Sequence, residues 1–214
     1  MKNLDYKKDF KNLYLPPTKP VLVDVPPALY ATVKGHGNPN DNPEFQSAMQ
    51  ALYSVTYGIK MLPKKGIQPE GYYPYTIFPL EGLWDMDVSE MGPDIKLDKD
   101  KFLWDVMIRQ PDFVTQSLVD LVKEMAAKKK DPPDMSLVEL RTITDGLSVQ
   151  MTHIGSYDSE PASFAMMDQF CASEGLVRVG HTHREVYMGD PRRTEPEKLK
   201  TVIRYFVKRG EANR

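Results

Sequence analysis

The segment richest in chemically useful side chains is HTHREVYMGD, residues 181–190, near the C-terminal end of the chain. Its residues alternate as in a half-buried strand, so His183, Glu185 and Tyr187 should share one face. A carboxylate that can activate water and a phenol that can hydrogen-bond a leaving atom would together support hydrolysis. Glu185 and Tyr187 are therefore the candidate catalytic residues if the protein is an enzyme, and candidate ligand-binding residues in any case.

Length and composition limit the class of protein. The chain has 214 residues, of which 41% are hydrophobic and 27% charged, which suits one domain with a sizeable core or two small fused ones. The net charge of -2 and the short, scattered lysine runs give no electrostatic footprint for nucleic acid. No apolar run approaches the roughly 20 residues that span a bilayer. We therefore expect no nucleic acid and no membrane as a direct partner.

The cysteine and histidine content argues against disulfides and metals. Cys171 is the single cysteine, and the N-terminus MKNLDYKKDF lacks the apolar stretch of a secretory signal, so we expect a cytoplasmic protein. His153, His181 and His183 lack the spacing of a zinc site, and GHGNPN lacks the lysine and hydroxyl of a phosphate loop. We predict no metal, no cofactor, and a monomer or weak dimer.

The elements that must position these side chains follow from periodicity and turn chemistry. Residues 1–24 are expected to form an N-terminal arm, because the prolines of LPPTKP forbid a helix there. A single domain is expected over residues 25–210. Its predicted elements are a strand in ALYATVKGHG, a helix over 44–62, strands over 75–86 and 101–111, a linking helix over 113–129, strands in LVELRTI and LSVQMTHIGSYD, a helix in EPASFAMMDQFCAS, and strands in HREVYMGD and KLKTVIRYFVK.

The second half of the domain repeats the order of the first. Two strand-helix-strand-strand units are predicted over about 25–111 and 137–208, with Glu81 in the position of Glu185. The expected fold is α+β, with antiparallel sheets, helices on one face of each sheet and a central ligand cleft between the units. Each helix should cover the face that carries Val, Met and Ile, which leaves the face of Glu185 for the cleft.

Four further side chains are candidates for ligand binding: Glu81, Trp84, Trp104 and Tyr157. Gly82 permits a bulge that would turn Trp84 toward the cleft. Two tryptophans, several tyrosines and two carboxylates on one cleft would suit a flat, amphipathic, cationic aromatic molecule.

Several candidates also have a purely structural explanation. Trp84 and Trp104 could be core residues, which is a common use of tryptophan. Glu81 could cap the turn at Gly82. Tyr157 could pack over the start of the following helix, for which Asp158 and Ser159 are candidate N-caps. Glu185 could be an exposed strand residue paired with a neighbouring arginine, Arg184 or Arg204. Periodicity alone leaves these alternatives open.

Five ordered motifs carry a family resemblance: KGHGNPN, PEGYYPYTIFPLEGLWD, IRQPDFVT, HIGSYDSEP and HREVYMGDPRRTEPEKLKTVIRYFV. Together they resemble the stand-alone GyrI-like proteins, whose domain is similar to the effector-binding domain of multidrug-sensing transcription regulators. The resemblance covers about residues 20–208 and implies paired strand-helix-strand-strand units with a ligand cleft. It also implies that Glu185 matches the carboxylate that related regulators use against cationic aromatic drugs.

The resemblance leaves three functions open. The first is binding and sequestration of an amphipathic, cationic aromatic ligand. The second is hydrolysis of cyclopropane-containing alkylators, which some similar stand-alone members carry out, with a cleft glutamate as general base. The third is a protein-interaction role such as modulation of DNA gyrase. A transcription factor is not expected, because about 25 residues precede the domain, too few for a helix-turn-helix module.

Overall fold

The computed structural model describes residues 3–87, 97–128 and 132–210. They form two compact units: unit 1 contains Ala28–Ile143 and the described part of Met1–Asp5, and unit 2 contains Tyr6–Pro27 and the described part of Thr144–Arg214. The α-helices and β-strands are, in chain order, α1 (Tyr6–Asp9), α2 (Lys11–Tyr14), β1 (Val21–Val25), β2 (Ala28–His36), α3 (Pro43–Lys60), β3 (Leu80–Met86), β4 (Phe102–Arg109), α4 (Gln116–Ala127), β5 (Glu139–Ile143), β6 (Gly146–Ile154), α5 (Glu160–Glu174), β7 (Leu176–Tyr187) and β8 (Lys200–Arg209).

Antiparallel strands covered by helices confirm the predicted α+β class. The helices predicted over 44–62 and 113–129 are α3 and α4, although residue 129 lies outside the described residues. Both begin at a capping residue, because the side-chain oxygens of Asn42 and Thr115 accept backbone N–H groups of the first turn. Local sequence thus determines where these two helices start.

Unit 1 has the strand order β3-β4-β2-β5, since β4 pairs with both β3 and β2, and β2 also pairs with β5. Helix α3 packs on β2 and β4. The face below it carries Val33, Val106 and Ile108, which are almost completely buried. Burial of such aliphatic side chains contributes about 1.5–3 kcal/mol each.

Unit 2 has the strand order β1-β6-β8-β7. Helix α5 packs on β6 and β7. Its core is a cluster of buried side chains from α5 and the three strands β6, β7 and β8: Val149, Met151, Met167, Cys171, Leu176, Ile203, Tyr205 and Val207. The helix therefore lies on the face of the sheet that carries Met151 and Ile203.

Strands β1 and β5 each pair in a different unit from the one that their position in the chain predicts. The pattern assigned LVELRTI to the second unit, yet Glu139–Ile143 pairs with Ala28–Thr32 in unit 1. Val21–Val25, of which all but the last residue was expected in the N-terminal arm, pairs with residues 146–150 in unit 2. Alternation identifies a strand but carries no information about its pairing partner, which long-range hydrogen bonding decides.

Several strand limits differ from the predicted ones. The strand predicted over 75–86 begins only at Leu80, directly after Pro79, whose ring has no N–H to donate to a neighbouring strand. The strand predicted in HREVYMGD begins earlier, at Leu176, and its pairing with β8 shifts register between Arg178 and His183.

The N-terminal segment contains α1, α2 and β1, and its helices end before the prolines of LPPTKP. Leu13 and Tyr14 are buried, and Gln150 on β6 donates a hydrogen bond to the Asn12 carbonyl oxygen over 2.6 Å. The boundary between an arm and a domain at residue 24 stays a prediction. None of the helices described within residues 3–87, 97–128 and 132–210 is long and apolar enough to cross a membrane.

Candidate functional site

Strand β7 places His183, Glu185 and Tyr187 on one face, as the alternation predicts. Glu185 is opposite Ile203 on β8, so this face is the one that α5 covers. Phe164 of α5 lies edge-on to the ring of His183, with 5.0 Å between ring centroids. The expectation that Glu185 lies on the face away from the helix is therefore wrong, because Met151 and its buried neighbours place the helix on the same face.

Arg184 lies on the other face of β7, opposite Arg204 on β8, and both arginines bind Asp145. Arg184 is completely buried and makes two hydrogen bonds to Asp145, of 2.6 and 2.7 Å. Arg204 reaches the same carboxylate over 3.1 Å, and the two guanidinium charges hold the pKa of Asp145 below its usual value despite burial. The alternative in which Glu185 pairs with Arg184 or Arg204 is not what the structure shows.

Glu160, the first residue of α5, contacts Glu185. Its side chain is buried, with 7% relative exposure, and a hydrogen bond joins the two carboxyl groups. Burial first, then the charge of Glu185, that hydrogen bond and Asp158 raise the pKa of Glu160 to about 9. In this carboxyl pair of Glu160 and Glu185, burial and the neighbouring charge therefore favour the protonated form of Glu160 at neutral pH.

Glu185 accepts further hydrogen bonds from its own strand. The distance from His183 Nε2 to Glu185 Oε1 is 3.0 Å, and the Tyr187 hydroxyl donates to the same carboxylate. Burial and the negative charge of Glu185 raise the pKa of Tyr187 well above its ordinary value, so this hydroxyl stays protonated.

Tyr157 forms the solvent-facing edge of the site. Its ring is edge-on to that of Tyr187, with 6.1 Å between centroids, and the residue is 39% exposed. Burial, then the charges of Glu185, Glu160 and Asp190, raises the pKa of Tyr157 to about 12. Together these residues form the carboxyl site, which consists of Glu160, Glu185, His183, Tyr187 and Tyr157.

Glu160 Oε1 is buried, and no N–H or hydroxyl group among the described residues donates a hydrogen bond to it. An unpartnered buried polar atom is unfavourable by about 1–3 kcal/mol unless another group satisfies it. The neighbouring carboxyl group of Glu185 can satisfy this oxygen when one of the two groups carries a proton.

The candidates of unit 1 lie elsewhere. Trp84 and Trp104 are on the face below α3, where Phe45 contacts both rings at centroid distances of 6.0 and 5.1 Å. Pairing of β3 with β4 is regular from residue 80 to 86, so the predicted bulge at Gly82 is absent from this described strand. Glu81 is buried on the opposite face of β3, paired with Met107.

Two glycines explain why both tryptophans fit below α3. A Cβ at Gly35 would lie 2.1 Å from the Trp104 ring, and one at Gly82 would lie 2.6 Å from Trp84 Nε1. Each indole thus covers a glycine on its own or the neighbouring strand. Both rings are more than 90% buried, which is the environment of core residues.

A model of the GyrI-like small molecule binding domain matches residues 18–207. The chain belongs to the GyrI-like family. The predicted resemblance is therefore confirmed, and small-molecule binding is the general function of this domain. No curated protein matches the chain.

Solved structures agree with the family assignment. A hydrolase from Listeria innocua is 38% identical, with 96% of this chain and 100% of that chain covered and a TM-score of 0.87. An uncharacterized conserved protein from Listeria innocua is 39% identical over 96% and 100% of the two chains, with a TM-score of 0.89. The EcmrR C-terminal domain, at 13% identity, a TM-score of 0.51 and coverage of 89% and 98%, shares the fold.

Within this GyrI-like domain, sequence reasoning missed Glu160 and the role of His183. The residue type was visible in the sequence, since Glu160 opens the helix predicted in EPASFAMMDQFCAS. However, an acidic residue in a first helical turn usually interacts with the helix dipole at the surface. Only the packing of α5 on β7 shows that this carboxyl group is buried against a second one.

The site can supply an acid and a base at once. Glu160, whose raised pKa favours the protonated form at neutral pH, can donate a proton, and the carboxyl group of Glu185 next to it can act as the acceptor. No group of three or more His, Cys, Asp or Glu side chains suited to a metal ion occurs in the described part of the chain.

Proposed function

We propose that this GyrI-like protein is a hydrolase that binds a neutral, amphipathic aromatic electrophile and opens it by adding water. The observation that supports this proposal is the carboxyl pair. Glu160, whose pKa is raised, can serve as the acid and Glu185 beside it as the base, and both side chains are buried. A binder of cations would need only the carboxylate.

The proposed reaction conserves protons within the carboxyl pair. Glu185 removes a proton from water as the oxygen bonds to the electrophilic carbon of the substrate. The strained bond at that carbon breaks, and its electron pair moves to an acceptor atom of the substrate, which takes the proton from Glu160. Glu185 is then protonated and Glu160 ionised. One proton transfer across their hydrogen bond restores the starting state.

Two aromatic side chains support the choice of ligand. Tyr157 and Tyr187 lie edge-on to each other, and Tyr157 is partly exposed, so a flat apolar ligand could pack against it. The Tyr187 hydroxyl also fixes the carboxylate of Glu185 through its hydrogen bond. A strained ring such as cyclopropane is the substrate class that the family resemblance suggests.

The relatives also support the proposal. The Listeria innocua hydrolase is covered over its whole length at 38% identity. At this identity and coverage, a shared class of reaction is a reasonable expectation for the present chain. The substrate of this chain is a proposal that rests on the carboxyl site.

Product analysis in labelled water tests the function. The protein is incubated with a panel of cyclopropane, epoxide and lactone electrophiles in H₂¹⁸O, and products are analysed by mass spectrometry. We expect one ¹⁸O atom in the product of at least one substrate. Glu185→Gln should lower turnover by on the order of 10² or more while retaining affinity for the substrate.

The control is Glu44→Gln, which makes the same substitution at a glutamate that is exposed in unit 1, away from the carboxyl site. Turnover by this variant should equal that of the unmodified protein. If the unmodified protein binds members of the panel but turns none of them over, the hydrolase proposal is wrong.

Binding of a cationic aromatic ligand without turnover is the second candidate. The carboxyl pair supports it too, because a cation beside Glu160 would favour loss of the proton that its raised pKa retains. Isothermal titration of a lipophilic cation in buffers of different ionisation enthalpy would then show release of about one proton per ligand near neutral pH. A neutral dye of equal size should release none. Equal affinity and no proton release for both dyes would exclude this candidate.

A further inference from the structure

His153, on β6, is buried below the N-terminus of α5 and has no part in the proposed reaction. Its Nδ1 is 2.8 Å from the Ser163 hydroxyl oxygen. Its Nε2 is 3.1 Å from both the Ser156 carbonyl oxygen and the Ser159 hydroxyl oxygen. Because a carbonyl oxygen can only accept, Nε2 donates to the Ser156 carbonyl oxygen. Both ring nitrogens therefore have hydrogen-bond partners.

The partners of His153 flank Glu160. Ser159 immediately precedes Glu160, and Ser163 follows three residues later, so it lies on the same side of α5. The imidazole therefore connects β6 to the chain just before Glu160 and to the helix one turn after it. Both connections restrict where the Glu160 carboxyl group can lie relative to the sheet.

Helix α5 also lacks the cap that the other long helices have. Asn42 and Thr115 cap α3 and α4 with their side chains, whereas Ser159, the residue at the N-cap position of α5, makes no side-chain cap bond. Its hydroxyl donates instead to the Ser156 carbonyl oxygen over 2.7 Å. The first turn of α5 is thus held by His153 and not by its own cap.

We propose that His153 is a positioning residue that holds Glu160 beside Glu185, and this inference rests on the proposed function of the carboxyl pair. Without the imidazole, the first turn of α5 loses its connection to β6, and Glu160 moves away from Glu185 toward water. Displacements of about 1 Å in an active site can lower turnover by on the order of 10²-fold.

Two readouts on the same variants test this role. The first is the pKa of Glu160 in the absence of substrate, from a ¹³C-carboxyl NMR titration in which the resonance is assigned by its loss in Glu160→Gln. The second is kcat and KM for a substrate found with the electrophile panel. The titration must also follow the groups that face Glu160, namely Glu185, Tyr187, Tyr157 and Asp158.

His153→Phe keeps a ring but removes both nitrogens. We expect the pKa of Glu160 to fall from about 9 by at least one unit, toward the roughly 4.3 of a solvated glutamate, because the carboxyl group leaves its buried, paired environment. kcat should fall by about 10- to 100-fold with KM changed by less than about threefold. Ser163→Ala, which removes one of the bonds, should shift both readouts in the same direction by less.

Ser148→Ala is the matched control, because Ser148 is a buried serine on the same strand whose hydroxyl donates to the Gly146 carbonyl oxygen over 3.1 Å. Both readouts should stay as in the unmodified protein. If the pKa of Glu160 is unchanged in His153→Phe, the positioning role is wrong, whatever the turnover of that variant. If His153→Phe does not fold, the pKa of Glu160 in Ser163→Ala provides the same test. A lowered Glu160 pKa in a protein that turns over no substrate supports the positioning role and overturns the proposed function.

Discussion

Units 1 and 2 each place a helix on an antiparallel sheet, but the covered faces differ in chemistry. Below α3, unit 1 packs Trp84 and Trp104 against Phe45. Below α5, unit 2 has a hydrophobic core around Met167 and Cys171, and the carboxyl site at the N-terminal end of the helix. The same arrangement of a helix on an antiparallel sheet therefore contains an aromatic core in unit 1 and a candidate reaction site in unit 2.

The first-turn glutamates show how small the difference in sequence is. Glu44 in α3 is exposed, whereas Glu160 in α5 is buried against Glu185. A helix N-terminus favours a carboxylate, but burial beside a second carboxylate favours the protonated form more strongly. The chemistry of unit 2 thus depends on burial opposite β7, and not on the presence of an acidic residue.

The largest expected effect concerns the aromatic core of unit 1. Trp104→Ala should lower the free energy of unfolding by about 3–5 kcal/mol, because it leaves a cavity where the ring covers Gly35 and contacts Phe45. Urea denaturation followed by circular dichroism measures the change. A stable Trp104→Ala variant with weakened ligand binding would contradict the core role and restore Trp104 as a ligand-binding residue.

The next effect concerns the acid of the carboxyl site. Glu160→Gln should lower kcat by on the order of 10²-fold, because the amide cannot donate the proton that the leaving atom needs. In the unmodified protein, turnover should fall as the pH rises through about 9, where Glu160 loses its proton. This fall in turnover at high pH should be absent from the variant. Steady-state rates between pH 5 and 10 test both points. If Glu44→Gln also removed the fall in turnover at high pH, the contrast between exposed Glu44 and buried Glu160 would be wrong.

Stability should also depend on pH through Glu160. Because its pKa is raised in the folded state, the folded protein binds more protons than the unfolded chain between about pH 4.5 and 9. This contribution to stability is complete below the unfolded pKa and is lost as the pH rises through about 9. By pH 7 the loss should be roughly 3 kcal/mol.

Thermal unfolding of the unmodified protein and of Glu160→Gln across this pH range measures that contribution. The neutral amide has no proton to lose, so the variant should show a flatter pH dependence and should be the more stable protein at pH 8. Parallel pH profiles for the two proteins would mean that Glu160 is not held protonated.

The smallest effect concerns the phenol. Tyr187→Phe should lower kcat by about 10-fold, because Glu185 loses one hydrogen-bond donor while the ring and its contact with Tyr157 stay in place. Rates at pH 7 with the same substrate provide the measurement. A loss as large as that of Glu185→Gln would indicate that the hydroxyl itself transfers a proton to or from the substrate.

The sequence by itself determined the α+β class, the GyrI-like family and most of the helices. It also determined that His183, Glu185 and Tyr187 share a face, because a strand alternates with a period of two whatever it packs against. Helix starts at Asn42 and Thr115 were likewise local, since a cap depends on the few residues next to it.

The tertiary structure alone decided which face of β7 the helix covers, which strands pair with β5 and β1, and that Glu160 meets Glu185. The predicted bulge at Gly82 is wrong for the same kind of reason, because β3 pairs in regular register with the distant strand β4. Each of these outcomes depends on contacts between residues far apart in the chain. Periodicity and propensity describe only neighbours along the chain, so they cannot specify which distant side chains share a buried environment.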